Sequence, residues 1–390
     1  MTRVYLDHNA TTPLRAPARD AMVAAMDVVG NPSSVHAEGR AAKMLVEAAR
    51  AQVSELVGCR PQQVIFTSSA TEAAALAAAQ RARHGGVFAA LPTEHDCLSV
   101  WSDRPLEALH DRDGQPSAQG EERLREALVA LAAGSAEQGP VALVAISAAN
   151  SETGIMQPEA RVVGSANAVG GDRPMPAYST VCDITQMAGK MPVVYDDVTP
   201  SYAILSAHKL GGPKGVGALI NFTADDPEPL LRGGGQEMNR RSGTENVIGI
   251  AGFGAAAEAA SRDVASGRWE EVAQFRNILE KTIAAASPET IFVGNGATRL
   301  PNTSCMVTPG WKGETQVMQM DLGGFAISAG SACSSGKVKA SKVLGAMGYS
   351  EAQAASAIRV SLGLETTQDE VMRFAERWIA QYEKHAKRAA

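Results

Sequence analysis

Short apolar runs alternate with polar turns and alanine-rich stretches along most of the chain. Residues 4–6 read as a strand, with a turn at Thr12-Pro13. Helical patterning follows over 17–28 and 37–56, separated by a turn at 31–34. Residues 64–67 form a compact strand pattern that runs into small polar residues and then a helix of almost pure alanine. The motif of apolar run, polar turn and helix recurs. Further strands are predicted at 87–91, 141–146, 176–182, 203–206 and 216–220, and a further helix at 120–133. Such alternation predicts an α/β fold with a mostly parallel central sheet and helices on both faces. Composition shifts near 261–271, which places a junction around 255–265. Beyond it come a helix at 272–286, strands at 304–307 and 325–327, and an amphipathic helix at 367–385.

The length, 390 residues, is long for one core and suits two domains. At 45% hydrophobic and 20% charged, the chain is neither disordered nor fibrous. A formal charge of -6 argues against a general nucleic-acid surface or an anionic-membrane surface. The N-terminal residues carry charge by Arg3 and Asp7, unlike a secretory signal. The longest apolar runs, 141–149 and 247–257, fall short of the roughly 20 residues a bilayer needs. The expected location is cytoplasmic. Five cysteines without a CxxC pair predict neither a disulfide framework nor a structural zinc. Four of them read as small buried hydrophobes.

Ligands of open α/β sheets sit beyond the carboxyl ends of the strands, and Thr71, Asn150, Asp183 and His208 all follow strand runs. Lys209, in Ser206-Ala207-His208-Lys209, follows a buried strand, and its amine can form a Schiff base with an aldehyde cofactor. A surface turn with ordinary cations is the other reading. Asp183, with Gln186 three residues on, can keep a pyridine nitrogen protonated or simply cap a helix. His95 offers a flat ring that can stack on a cofactor or serve the structure alone. Residues 67–72 present hydroxyls and backbone N–H groups at a helix start, as a phosphate cradle or a capping box. Cys333 sits among small polar residues, where a thiolate can reach a substrate and then a partner. Arg359 is a lone cation in an apolar run and needs an anion, from a substrate carboxylate or an internal acid.

Together these motifs resemble the cysteine desulfurases, pyridoxal-phosphate enzymes of aminotransferase class V. The resemblance covers nearly the whole chain. It rests on Tyr5-Leu6-Asp7-His8-Asn9-Ala10-Thr11-Thr12-Pro13, Asn31-Pro32-Ser33-Ser34, Phe66-Thr67-Ser68-Ser69-Ala70-Thr71-Glu72 and Ser206-Ala207-His208-Lys209. It continues through Gly233-Gly234-Gly235-Gln236-Glu237, Arg241-Ser242-Gly243-Thr244-Glu245-Asn246, Gly330-Ser331-Ala332-Cys333 and Ile358-Arg359-Val360-Ser361-Leu362-Gly363. The Ser-Ala-Cys segment and its continuation look like the NifS and IscS types rather than the SufS type.

The resemblance implies fold type I of the pyridoxal-phosphate transferases. A large cofactor domain would span 15–258, and a smaller α+β domain 1–14 and 259–390. It implies that Lys209 binds the cofactor and moves the substrate proton, that His95 stacks on the ring, that Asp183 pairs with the pyridine nitrogen and that Gln186 bonds the ring oxygen. Ala70, Thr71, Ser206 and His208 would hold the phosphate. Thr244 would reach it across a homodimer interface. Asn150 and Ser151 would contact cofactor and substrate, and Arg359 the carboxylate of L-cysteine. Cys333 would take the sulfur as a persulfide and pass it to an acceptor, commonly an iron–sulfur scaffold protein. Iron–sulfur ligation through Cys333 is also implied. Six positions depart from the family pattern: Ser151 replaces an Asn, Ala73, Ala74 and Ala75 replace polar residues, Val181 replaces a His, and Ser69 replaces a Gly. A selenocysteine lyase, another class V enzyme and a weakly active partner-binding homologue are the competing expectations.

Overall fold

The computed structural model describes residues 3–106, 111–112, 126, 130, 142–157, 178–195, 199–330 and 340–389. The helix expected at 120–133 lies almost wholly outside them, as does Cys333. Thirteen strands are described: β1 (Val4–Tyr5), β2 (Val64–Thr67), β3 (Phe88–Ala90), β4 (Arg104–Pro105), β5 (Leu143–Ser147), β6 (Ser179–Asp183), β7 (Tyr202–Ser206), β8 (Gly217–Asn221), β9 (Ile291–Phe292), β10 (Thr303–Val307), β11 (Phe325–Ala326), β12 (Ser328–Ala329) and β13 (Ala357–Ser361). The helices used below are α1 (Ala16–Met26), α2 (Ala37–Val57), α3 (Ala70–Ala79), α4 (Asp96–Ser99), α5 (Val247–Ala265), α6 (Arg268–Ala286) and, closing the chain, a helix over Gln368–Ala389.

Seven strands form the central sheet in the order β2-β8-β7-β6-β5-β3-β4. All neighbours are parallel except β8, which is antiparallel to both β2 and β7. Alternation along the strands divides the core between two faces. Val64, Phe66, Ala203, Leu205, Ala218 and Ile220 pack towards one face with residues of α1, α2 and α5. Ile65, Tyr202, Ile204 and Leu219 face the other way, onto α3. Ala73 and Ala74 are fully buried there, so two of the departures from the family pattern lie where the helix meets the sheet.

A second core gathers Val4 and Leu6 with Trp269, Trp311, Phe374 and Trp378. Here β1 pairs with β11, and β12-β13-β10-β9 make an antiparallel sheet. The expected break at 258/259 falls inside α5, whose Ala256, Ala257 and Ala260 all pack in the first core. The chain turns only after Ala265, through Ser266 and Gly267, and Gly267 takes a φ of 73° that favours glycine. The change of composition marks this turn between two helices of 19 residues each.

Candidate active site

Strand register lines up one row of side chains at the carboxyl edge. Thr67 and Ser206 both pair with Gly217, Asp183 pairs with Ile204 next to that row, and Ser147 pairs with Asp183. Asp183 and Ser206 therefore end adjacent parallel strands, and Lys209 follows one short turn later. Gly217 matters at this point because a Cβ would lie 2.6 Å from the Ser69 backbone. Its absence lets the start of α3 close onto the sheet beside Ser206.

Lys209 Nζ donates to the backbone carbonyls of Asn9 at 2.7 Å and Ala10 at 2.9 Å. Asn9, 1% exposed, is a junction of the site. Its carbonyl also accepts from Gln186 Nε2 at 3.0 Å. Its Oδ1 accepts from Lys190 Nζ and Asn302 Nδ2, each at 3.1 Å, and its Nδ2 donates to Thr303 Oγ1 and the Ser151 carbonyl. Lys190 Nζ also donates to Gln186 Oε1 at 2.9 Å. Burial, with Lys209 and Arg359 nearby, brings Lys190 down to about 7. Asp183 is buried, and its Oδ1 accepts from the Thr185 N–H.

Arg359, on β13, donates through Nη2 to Asp7 Oδ1 at 2.8 Å and through Nη1 to the Ser151 carbonyl at 3.0 Å. Its Nε is buried without a partner, an open donor for an incoming anion. The Asn150 amide is engaged in its own turn. Its Oδ1 accepts from the N–H groups of Glu152 and Thr153, and its Nδ2 donates to the Thr93 carbonyl. Ser151 contributes its carbonyl, to Asn9 and Arg359.

Ser69 caps α3 by accepting from the Glu72 N–H, which leaves the amides of Ala70 and Thr71 as first-turn donors. His208 Nδ1 lies 3.1 Å from Thr11 Oγ1. Burial, Lys209 and Lys214 bring His208 down to about 4, so the ring is neutral. Thr67, Ser68, Arg241 and Thr244 line a pocket next to this helix start, and Thr244 is exposed. Arg241 Nε pairs with Glu72 Oε1 at 2.9 Å, tying the Thr244 loop to α3. Upstream of that loop, Glu237, Met238 and Asn239 all have positive φ, a strained conformation for residues with side chains. The buried carboxylate of Glu237 holds them in place through a bidentate pair with Arg50 at 2.8 Å.

His95 is exposed at the start of α4, and its Nδ1 accepts from the Cys97 N–H. Beneath it, Glu94 is buried and accepts from the N–H and Oγ of Ser147. Burial foremost, with Asp183 nearby, pushes Glu94 up to about 8. Burial also pushes the thiols of Cys59 and Cys305 up to about 12 and raises those of Cys97 and Cys182, so none of these four is poised as a thiolate. Cys333 lies outside the described residues, but both flanks of its segment are tied to the site. Ser328 Oγ donates to Asp7 Oδ2 at 2.8 Å, Ser341 Oγ to Glu152 Oε2 at 2.5 Å, and Lys342 Nζ to Asp96 Oδ1 at 2.6 Å. Among the described residues no group of three or more His, Cys, Asp or Glu could hold a metal ion, and no helix is long and apolar enough to cross a membrane.

The sequence model of the family described as aminotransferase class-V matches residues 4–374. The chain belongs to that family. It is 38% identical to a cysteine desulfurase of Cereibacter sphaeroides over 389 residues, 96% of this chain and 95% of that relative. It is 37% identical to a cysteine desulfurase of Frankia sp. (strain EuIK1), over 96% of this chain and 90% of that one. Among solved structures, a NifS-like protein from Rickettsia africae ESF-5 superposes with a TM-score of 0.83 at 29% identity, covering 98% of this chain and 99% of the other. As in other class-V members, fold type I and a pyridoxal phosphate cofactor follow from the family. The donor set fits that group. The Lys209 amine, the buried Asp183 carboxylate on the neighbouring strand and the first-turn amides of α3 share one edge, next to the glycine cradle at Gly217.

Asn9, Asp7, Glu94 and Lys190 were missed as functional candidates by sequence reasoning. Asn9 and Asp7 stood inside a recognised motif, but nothing local showed that the N-terminal segment reaches Lys209. Lys190, four residues past Gln186 and seven past Asp183, was the only one with a readable position.

Proposed function

We propose that this chain is a pyridoxal-phosphate-dependent cysteine desulfurase that converts L-cysteine to L-alanine and passes the sulfur to an acceptor protein. The observation that carries the site assignment is the pairing of Lys209 and Asp183 at the ends of adjacent strands, beside the start of α3. Lys209 would hold the cofactor, with Asp183 on the ring nitrogen, Gln186 on the ring oxygen and His95 over the ring face. Ala70, Thr71, Ser206 and His208 would take the phosphate. Bound there, pyridoxal phosphate supplies an electron sink for the charge left on the substrate Cα.

The protein's own groups do the rest. Arg359 binds the substrate carboxylate, helped by its open Nε. Lys209 moves the Cα proton once its amine is free, and the Asn9 and Ala10 carbonyls are the acceptors that hold that free amine. The Cys333 thiolate attacks the substrate sulfur. A new S–S bond forms, the C–S bond breaks and its electron pair stays with the carbon that ends as alanine. The persulfide on Cys333 then goes to an acceptor, for which an iron–sulfur scaffold protein is the fitting class. A second copy of this chain fits the exposed Leu230, Leu231 and Met238 beside the Thr244 loop, and would bring Thr244 to its partner's phosphate site.

The test is alanine formation from L-cysteine by the loaded protein, with intact mass on the same sample. Alanine together with one added sulfur atom on Cys333 supports the assignment. Lys209→Ala should abolish turnover, and Cys333→Ser should keep cofactor binding and lose the persulfide. Normal persulfide in Cys333→Ser would refute that role. Running L-selenocysteine in parallel separates a lyase for that amino acid.

A further inference from the structure

The mechanism leaves one buried cation unused. Lys190 is 4% exposed, and among the described residues its ammonium has no carboxylate within ion-pair distance. Its two acceptors are neutral amide oxygens, Gln186 Oε1 at 2.9 Å and Asn9 Oδ1 at 3.1 Å. The charged groups that act on it, Lys209 and Arg359, are both cations, and His8 beside it is held neutral, at about 4, chiefly by burial. Burying a cation among cations costs stability, so its retention calls for a return elsewhere.

That return is the orientation of two side-chain amides. An ammonium can only donate, so it fixes the oxygen end of each amide towards itself. For Gln186 this turns Nε2 outward, to the Asn9 carbonyl that also receives Lys209 Nζ. For Asn9 it turns Nδ2 towards Thr303 and the Ser151 carbonyl, which in turn holds Arg359. We propose that Lys190 is a positioning residue that locks the Gln186 amide with its N–H end facing Lys209, where the ring oxygen of the cofactor needs a donor. The inference rests on the cofactor assignment above and adds a residue to it.

The test is a double-mutant cycle in the full-length protein, read as the dissociation constant of pyridoxal phosphate from the apo-protein at about pH 6, below the Lys190 value of about 7, where the side chain is the donating ammonium. Lys190→Met should weaken binding about tenfold, the lower end seen for groups that orient a ligand-binding residue. In the double variant Lys190→Met, Gln186→Met, binding should be no weaker than in Gln186→Met alone, because the lysine acts through that amide. The apo-protein Tm of Lys190→Met should stay close to the parent's, because removing a buried cation offsets the Gln186 Oε1 left without its donor. Lys190→Gln, which keeps an N–H donor without the charge, should recover part of the affinity and serves if the methionine variant does not fold. Losses that multiply in the double variant, or unchanged affinity with a lowered Tm, overturn the proposal. If the parent takes up no pyridoxal phosphate, both this and the cofactor assignment fail. If it binds the cofactor but makes no alanine, only the desulfurase reading fails.

Discussion

Lys209 Nζ lies 2.7 Å from the backbone oxygen of Asn9, a residue 200 positions earlier in the chain. The amine that would do the chemistry is thus held by the N-terminal segment, which itself is pinned by β1 against β11 and by the Asp7 bridge to Ser361. Asn9→Ala should be costly because it removes the Oδ1 acceptor shared by Asn302 and Lys190 together with two donated bonds, although Asn302 keeps the Leu362 carbonyl and Lys190 keeps Gln186. A loss of about 3 kcal/mol is expected, from buried hydrogen bonds worth about 0.5–1.5 kcal/mol each. Urea unfolding of the apo-protein measures it. A loss below about 1 kcal/mol would mean that these contacts do not organise the site.

Arg359 already shares its guanidinium between Asp7 and the Ser151 carbonyl, and it keeps Nε open. A lysine has one charge centre and no planar fork, so it cannot serve all three directions. Arg359→Lys should raise the KM for L-cysteine by about tenfold or more, with a smaller change in kcat, as expected when substrate binding is lost more than transition-state stabilisation. Steady-state alanine formation separates the two parameters. An unchanged KM would move the carboxylate site elsewhere.

The left-handed run over Glu237, Met238 and Asn239 gives two predictions of opposite sign. Glu237→Gln leaves Arg50 with only the half-exposed Glu47 as carboxylate partner and should cost about 3 kcal/mol, the lower end for breaking a buried pair. Met238 has φ 57° and ψ 40° and is about half exposed in the single chain, so at concentrations where the chain is monomeric Met238→Gly should relieve strain with little packing lost. A gain of about 1 kcal/mol is expected. Chemical denaturation of the two variants checks both signs. A destabilised Met238→Gly would show that the turn is not strained at that position.

The strand pattern was legible because alternation decides the faces of the sheet. Residues 64–67 were read with their observed limits, and the site residues were placed at strand ends before any contact was known. The site's cross-links were not legible. Asn9 meets Lys209, Lys190 and Ser151 only through tertiary folding, and no local pattern marks an asparagine whose backbone carbonyl is the functional group. Asn150 shows a different limit. Its position after β5 suggests a ligand contact, and nothing local shows that its side-chain amide also ties the turn together. The change of composition near 261–271 coincides with the turn at Ser266-Gly267, where a glycine with a positive φ follows a long alanine-rich helix.

Glu94 links the pH dependence of stability to the same strand edge. Its carboxyl is buried, and burial together with Asp183 raises it from 4.5 to about 8. Below pH 4.5 it is protonated in both the folded and unfolded states. As pH rises from there towards 8, the unfolded chain gives up the proton while the folded one keeps it, so stability falls, by up to about 1.4 kcal/mol per pH unit. Above the folded value the loss levels off. Glu94→Gln cannot titrate and keeps an acceptor for Ser147. The stability of Glu94→Gln relative to the parent should therefore rise between about pH 5.5 and 7.5, by about 2 kcal/mol, while other titrating groups cancel in the difference. Urea unfolding of both proteins at the two pH values measures this. A flat difference would mean that Glu94 is ionised in the folded protein and that two carboxylates, not Asp183 alone, set the charge beneath the ring.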